Sequence, residues 1–380
     1  MRALIVTVGR ARGALAAVRS LSSAGWSVGV GTPDGKGMVA ASRWCRHRHV
    51  VPRPRGQGEG FVQGVQRAVH DVGYDVVFGG ADDWMAALAT YRDRIPTQVA
   101  HPAADTAAAG LDKLELIKRA AAVGLVAPRT EAATEAILAG WAGPVVIKCR
   151  AHWHPGQRHE LRVEARRYQN VTAAIDRVRL LRDAGFEPIV QETVDGRLGA
   201  LIGLFHEGRL VGRVQQESSG LWPTPSGVSA RAETVPIDEE LSTRAAALLT
   251  DLGWSGLVEL QFLTDARGIS HLIDLNGRFY GSMALAHAAG VNLPDAWARQ
   301  VLGLAVPSLE DARAGVRFVW LAGDLRRASK ERRSGLVRDV VSTLRWARTA
   351  TDSVWDRQDL GPTRELIAAR LRRTAGESVE

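Results

Sequence analysis

The chain has 380 residues, 46% hydrophobic and 24% charged, an ordinary globular composition that excludes disorder as the main state. At 41.0 kDa it exceeds the usual single-domain size, so two or three domains are expected. Lys+Arg number 49 against 41 Asp+Glu, net +8, which fits either an arginine-rich background or a surface for nucleic acid or acidic ligands.

Residues 1–110 alternate apolar runs with helix-like stretches. Strands are expected at Leu4–Val8, Ser27–Val30, His49–Val51 and Asp75–Phe78, with helices at Ala14–Ala24, Phe61–Val72 and Trp84–Tyr91. This pitch means a small parallel α/β sheet. The turn GRARG after the first strand lacks the order of a dinucleotide fingerprint and reads as a tight βα turn. A helix over Asp112–Val123 ends at Gly124, and an extended linker, a short helix Ala132–Ala139 and a buried strand Pro144–Lys148 follow. A loop at His152–His159, a helix Val171–Ala184 and a strand Pro188–Gln191 come next.

From Leu198 the pattern is antiparallel. Leu198–Phe205 and Leu210–Val214 flank the turn HEGR, and Leu257–Phe262 and Ser270–Asp274 flank TDARG. Ser218–Val228 holds two prolines and two glycines and reads as a loop, while Glu239–Leu252, Ala284–Ala289 and Pro294–Leu302 read as helices. After about residue 320 the chain is helical and arginine-rich, with Trp346 and Trp355 able to pack back on the body.

The second hairpin carries the densest chemistry. Alternation puts Glu259 and Gln261 on one face and Asp274 and Asn276 on the matching face of the partner strand. Four oxygen-bearing side chains can then converge, a donor set suited to Mg²⁺, with the Arg278 guanidinium fork suited to phosphate. The alternative is a half-exposed polar hairpin face. Only Lys36, Lys113, Lys118, Lys148 and Lys330 are lysines, so each one placed in a motif is informative. Lys148 closes the apolar strand GPVVIK, where it either snorkels or points at a nucleotide phosphate. Lys113 follows Asp112, a candidate N-cap, and opposes the helix dipole unless an anion sits beside it. Gln191 and Glu192 end the strand PIVQE, either as a plain link or as a hinge that reads an adenine edge.

In this order the features resemble the ATP-grasp superfamily, more narrowly its carboxylate–amine ligases and its carbamoyl-phosphate-synthetase-like and pyrrolysine-biosynthesis-like ligases. The resemblance implies an α/β and α+β chain: a Rossmann-like pre-ATP-grasp domain at 1–110, a small lid subdomain with its linker helix at 111–195, a large subdomain with the metal site at 196–320, and a basic helical C-terminal extension at 321–380. The segment SRWCRHRHVVPRP is similar to one in the family's first domain. The resemblance gives Lys113 and Lys148 contacts to ATP phosphate, Gln191 and Glu192 the adenine and ribose hinge, Gln261, Asp274 and Asn276 (with Glu259) the Mg²⁺ or Mn²⁺, and Arg278 a catalytic role. Two departures stand out. Gln261 replaces the usual carboxylate, and the segment CRAHWHPGQRHE replaces a glycine-rich flap.

The implied reaction makes an acyl phosphate from a carboxylate and ATP, which an amine then attacks. Arg231 and Ser229 are candidates for the substrate carboxylate, Ser282 for an anion or as an N-cap, and Asp82 and Asp83 for an ammonium group. His152, His154 and His159 read as a solvated loop rather than zinc ligands, and Cys45 and Cys149 match no disulfide framework or zinc spacing. No run of about 18 apolar residues is present, and MRALIVTVG reads as a strand rather than a signal peptide, so a soluble cytoplasmic protein is expected. The partners expected are a small carboxylate and an amine, and a second copy of the chain as a homodimer. Nucleic acid is disfavoured, although the basic C-terminal helices leave it open. The rival readings are carboxylase or carbamoyl-phosphate-type chemistry, and a non-catalytic nucleotide-binding or nucleic-acid-binding protein.

Overall fold

The β-branched run at the N-terminus and the helices between short apolar segments assemble as their alternation requires. The computed structural model describes residues 1–151, 153 and 165–374, so His152, His154 and His159 lie outside the described residues. Strands β1 (Arg2–Val6), β2 (Ser27–Thr32), β3 (Cys45–Val50), β4 (Val76–Gly79) and β5 (Gln98–Val99) form a sheet of order β3-β2-β1-β4-β5, each pairing parallel. Helices α1 (Arg12–Ser23), α2 (Gly58–Val72), α3 (Asp82–Thr90) and α4 (Ala104–Leu111) complete this Rossmann-like part. The glycine of the GRARG turn serves close packing. A Cβ on Gly13 would come 2.3 Å from the Tyr280 carbonyl oxygen, so α1 lies directly on the backbone of the later chain.

Helix α5 (Lys113–Ala122) starts where Asp112 accepts from the Leu114 and Glu115 amides, as its N-cap position predicts. A second, antiparallel sheet joins β6 (Thr130–Ala132), β7 (Val145–Cys149), β8 (Arg166–Tyr168) and β9 (Pro188–Glu192) in the order β6-β9-β7-β8. With α6 (Glu135–Ala139) and α7 (Thr172–Asp183) it encloses a small core of its own, built on Val145, Ile147, Val178, Leu181 and Val190.

The third sheet contains β10 (Arg197–His206), β11 (Arg209–Trp222), β12 (Val228–Val235), β13 (Gly256–Thr264), β14 (Ser270–Asn276), β15 (Arg317–Val319) and β16 (Ala350–Asp352), ordered β14-β13-β10-β11-β12-β15-β16. Helices α8 (Glu239–Asp251), α9 (Met283–Ala288) and α10 (Leu293–Val301) pack with it. Glu207 and Gly208 both have positive φ, 48° and 75°, as the two-residue hairpin turn requires. The expected loop over Ser218–Val228 is instead mostly strand. β11 runs to Trp222 and β12 resumes at Val228, because the prolines and the last glycine interrupt pairing only over residues 223–227.

The C-terminal segment, with α11 (Leu321–Glu331), α12 (Leu336–Ala347) and α13 (Gly361–Thr374), is not a detached helical extension. β16 pairs parallel with β15, so one sheet spans the expected boundary at 320/321. Two fully buried aspartates fix the segment. Asp324 takes Arg231 and Arg327 at 2.6 and 2.7 Å, and Asp359 takes Arg19 and Ser42 at 3.0 and 2.7 Å. Trp346 packs back as expected, its indole N–H donating to the Phe318 carbonyl, whereas Trp355 is 56% exposed. α12 exposes Leu336, Val337, Val341 and Leu344 together with Arg338 and Arg345, so its outer surface mixes apolar and basic side chains. No helix among the described residues is long and apolar enough to cross a membrane.

Two large cores join the first and third sheets. One holds Leu4, Val77, Trp84, Leu260 and Leu275, the other Ile5, Leu15, Phe78, Tyr280 and Trp297. Between them lies His101. Its Nε2 accepts from the Gly79 amide at 2.7 Å, so its Nδ1 is the protonated nitrogen and donates to the Gly277 carbonyl at 3.2 Å. One neutral ring therefore ties the end of β4 to the end of β14. Burial pushes its pKa down to about 3, below the ordinary 6.5. The unfolded chain takes up a proton between those two values and the folded one does not, so stability falls as pH drops through that window. Equilibrium unfolding should show the advantage of wild type over His101→Gln shrinking below pH 6.5, with a limiting slope of about 1.4 kcal/mol per pH unit. A pH-independent difference would contradict the neutral, buried ring.

Candidate active site

The site is built on β14 and the residues just after it. β13 and β14 pair with Glu259 opposite Asn276 and Gln261 opposite Asp274, so the four side chains expected to converge share one face. The Asn276 amide donates to Glu259 Oε2 at 2.8 Å and the Gln261 amide to the same oxygen at 3.2 Å. Glu259 is 4% exposed, and burial pushes its carboxyl up to about 7 even though Arg278 and the two amides favour the anion. The neutral Gln261 thus spares Glu259 and Asp274 a third carboxylate at close range.

Arg278 is aimed by two partners. Its Nε donates to Asp82 Oδ1 at 2.8 Å and its Nη2 to Asn276 Oδ1 at 2.7 Å. Asp82 opens α3, so the first sheet orients a guanidinium that the third sheet carries. Lys113 reaches the centre from the first turn of α5, its Nζ 3.4 Å from Asp274 Oδ1. That carboxylate resolves the conflict with the helix dipole. Lys148 arrives from β7 and donates to the Ile273 carbonyl at 3.2 Å. Burial, with the like charge of Lys113, pushes its pKa down to about 7, and Asp274 opposes the fall.

Gln191 is buried opposite Val146 on β7, on the same face as Lys148, and donates to Thr130 Oγ1 at 2.7 Å. Glu192 is opposite Val145, so its exposed side chain points to the other face. Two carboxylates, two amide oxygens and adjacent cations make a hard-oxygen set that fits a small divalent ion bound together with phosphate oxygens. Among the described residues no cluster of three His, Cys, Asp or Glu forms a denser metal site.

The substrate candidates fare differently. Arg231 is committed to structure: Nε to Asp324, Nη1 to Ser342 and Nη2 to Thr343, with its plane over Trp346. Ser229 is hydrogen-bonded to Ser218 at 2.5 Å. Both lie on β12, beside the C-terminal helices. Ser282 stands at the N-cap position of α9 but makes no side-chain capping bond and donates to Gln216 Oε1 at 3.0 Å instead. Asp82 holds Arg278 and Asp83 holds Arg55 at 2.7 Å, so these carboxylates serve guanidinium groups of the chain instead of a substrate ammonium. Sequence reasoning missed Arg55, Gln216 and His101. Only Arg55, in the segment PRPRG, had a local pattern that could have drawn notice.

Comparison with known proteins agrees with this architecture. Residues 221–323 match the family described as ATP-grasp in the biosynthetic pathway with Ter operon. No curated protein matches the sequence. An L-amino acid ligase from Bacillus licheniformis superimposes with TM-score 0.61 at 14% identity, covering 79% of this chain and 74% of the other. The biotin carboxylase domain of 2-oxoglutarate carboxylase from Hydrogenobacter thermophilus, solved as a dimer with MgADP, gives 0.64 at 11%, covering 83% and 73%. N5-carboxyaminoimidazole synthetase from Staphylococcus aureus, complexed with ADP, gives 0.62 at 12%, covering 83% and 80%. The chain has the ATP-grasp fold.

Two outcomes follow from the geometry. With so few lysines, ¹³C-detected titration of the ε-carbons should isolate Lys148 near pH 7. Lys113→Met should raise that value by removing a like charge, and Asp274→Asn should lower it. Arg231→Ala should leave nucleotide binding unchanged but cost about 1–3 kcal/mol in denaturant unfolding, since Asp324 then keeps Arg327 alone.

Proposed function

We propose that the protein is an ATP-dependent ligase that joins a carboxylate to an amine through an acyl phosphate, releasing ADP and phosphate. One observation carries the reading. Lys113, Lys148, Asp274, Glu259 and Arg278, carried by α5, by β7 and by the β13–β14 hairpin with the turn after it, meet near the end of β14 in a chain of the ATP-grasp fold. Such a centre brings two anions together by neutralising both.

In this reading Lys113 and Lys148 bind phosphate oxygens of ATP, and the anion restores full charge to Lys148. Gln191 and the backbone at Glu192 face the base. Glu259, Gln261, Asp274 and Asn276 would hold Mg²⁺ or Mn²⁺, which when bound supplies charge neutralisation on the phosphate oxygens. Arg278, fixed by Asp82 and Asn276, stabilises the phosphoryl group as it transfers. A substrate carboxylate oxygen bonds to the γ-phosphorus and ADP departs. The amine nitrogen then bonds to the acyl carbon, phosphate departs, and the nitrogen loses its proton. No nucleophilic side chain is required. A homodimer and a cytoplasmic location belong to the same reading, as does the division into a first domain, a lid and a metal-binding large part.

ADP and phosphate release should be stimulated by a carboxylate together with an amine, with amino-acid pairs as the first panel and mass spectrometry of the products. Lys148→Ala and Asp274→Ala should each lower the turnover by roughly 100-fold or more. Release of AMP instead of ADP would contradict the acyl phosphate. Stimulation by bicarbonate alone would favour carboxylase chemistry.

A further inference from the structure

We propose that Arg12 receives a substrate carboxylate that the reaction does not consume, so one of the two joined molecules carries an additional free acid. The inference deepens the ligase reading, since it places this subsite a few residues from Arg278. Arg12 is the first residue of α1, and its guanidinium carbon stacks 3.9 Å over the Trp320 ring. Its Nη2 lies 3.2 Å from where a Gly281 Cβ would stand, so glycine at 281 makes room for the fork. Gly281 is three residues after Arg278. Two guanidinium groups therefore bracket the loop 278–281, one at the phosphoryl-transfer end and one beyond it.

Arg12 carries an unmet demand, as do Arg92 and Arg177 at Nε, but it alone of the three stands beside the loop after Arg278. Its Nη1 is buried and finds no acceptor among the described residues. Several other inward-facing arginines are satisfied: Arg19, Arg55, Arg231 and Arg327 each have a carboxylate within 3.0 Å. Asp352 acts on Arg12 only through space, and its own oxygens accept from the Leu321, Val354 and Trp355 amides. Burial accordingly pushes the Arg12 pKa down to about 10. A buried donor without an acceptor is destabilising, and such groups persist where a ligand completes them. A planar fork stacked on an aromatic ring matches a planar carboxylate bidentately. The extra acid can belong to either substrate, the acid or the amine.

Thermal unfolding with two probes tests this. Glutarate carries carboxylates only, and L-glutamate adds an amine. Each is titrated with and without MgADP, and sulfate serves as the control anion. Wild type should gain stability from at least one probe and little from sulfate. Arg12→Met should unfold at a higher temperature than wild type when ligand-free, since it removes the unmet charge. It should weaken the probe's apparent affinity by at least roughly tenfold and keep the MgADP shift. Arg12→Lys, which keeps the charge but not the fork, should also lose affinity and guards against a Met variant that fails to fold. A glutarate response alone points to the acid substrate, and a response confined to glutamate points to the amine. Equal probe shifts in wild type and both variants, no probe shift in wild type, a sulfate shift as large as the probe's, or a lowered melting temperature for a folded Arg12→Met would each overturn the proposal. Loss of the MgADP shift in wild type would instead count against the nucleotide reading, while the nucleotide-free titrations still decide Arg12.

Discussion

Three cations and three acidic groups are held out of water at one place, and the rest of the architecture answers to that constraint. Lys113, Lys148 and Arg278 approach one another near the end of β14, opposed by Asp274, Asp82 and a Glu259 whose proton is only loosely held near neutrality. Like charges in a low-dielectric setting repel strongly, so they stay together only if rigid elements force them to. Each cation is anchored on a different element: a helix start, the end of a strand in the second sheet, and the turn after β14. Strand β14 and residues 277–278 contact all three sheets through Asp274, the Ile273 carbonyl, the Gly277 carbonyl and Arg278. A phosphate-bearing ligand entering this centre would lower its electrostatic energy, which is how stored repulsion becomes affinity.

Much of this was legible in the sequence because it depends on period. Strand alternation gave the shared face of Glu259, Gln261, Asp274 and Asn276, and the register pairs them as alternation requires. The N-cap at Asp112 and the strand that carries Lys148, which runs one residue further to Cys149, follow from local rules that tertiary packing did not override. The resemblance to ATP-grasp ligases supplied roles that no spacing could have supplied. The misses share one cause, namely partners far apart in the chain. Nothing near Arg231 reveals that Asp324 lies 2.6 Å away, and nothing near His101 reveals Gly79 and Gly277. Asp82 and Asp83 looked free in sequence because Arg278 and Arg55 come to them from other elements.

The arginine excess also acquires a physical meaning. Many arginines act as forks between elements of the chain: at the surface Arg213 bridges Glu239 and Asp311 and Arg150 bridges Asp112 and Glu187, while Arg19 reaches the buried Asp359. A planar fork makes several directed bonds at once, which a lysine cannot, so an arginine-rich, lysine-poor chain is suited to this kind of cross-bracing. The two buried lysines are the exceptions, and they sit where a compact point charge is needed.

The parallel pairing of β16 with β15 has a consequence for how the chain can be shortened. Residues 350–352 occupy the last place in the third sheet, next to a strand that comes more than thirty residues earlier. A chain ending before residue 350 would leave the backbone donors and acceptors of β15 facing solvent, with the exposed apolar side chains of α12 close by. An uncovered edge beside exposed apolar side chains invites pairing between molecules. The C-terminal segment thus serves as a guard rail for the edge that β15 would otherwise present.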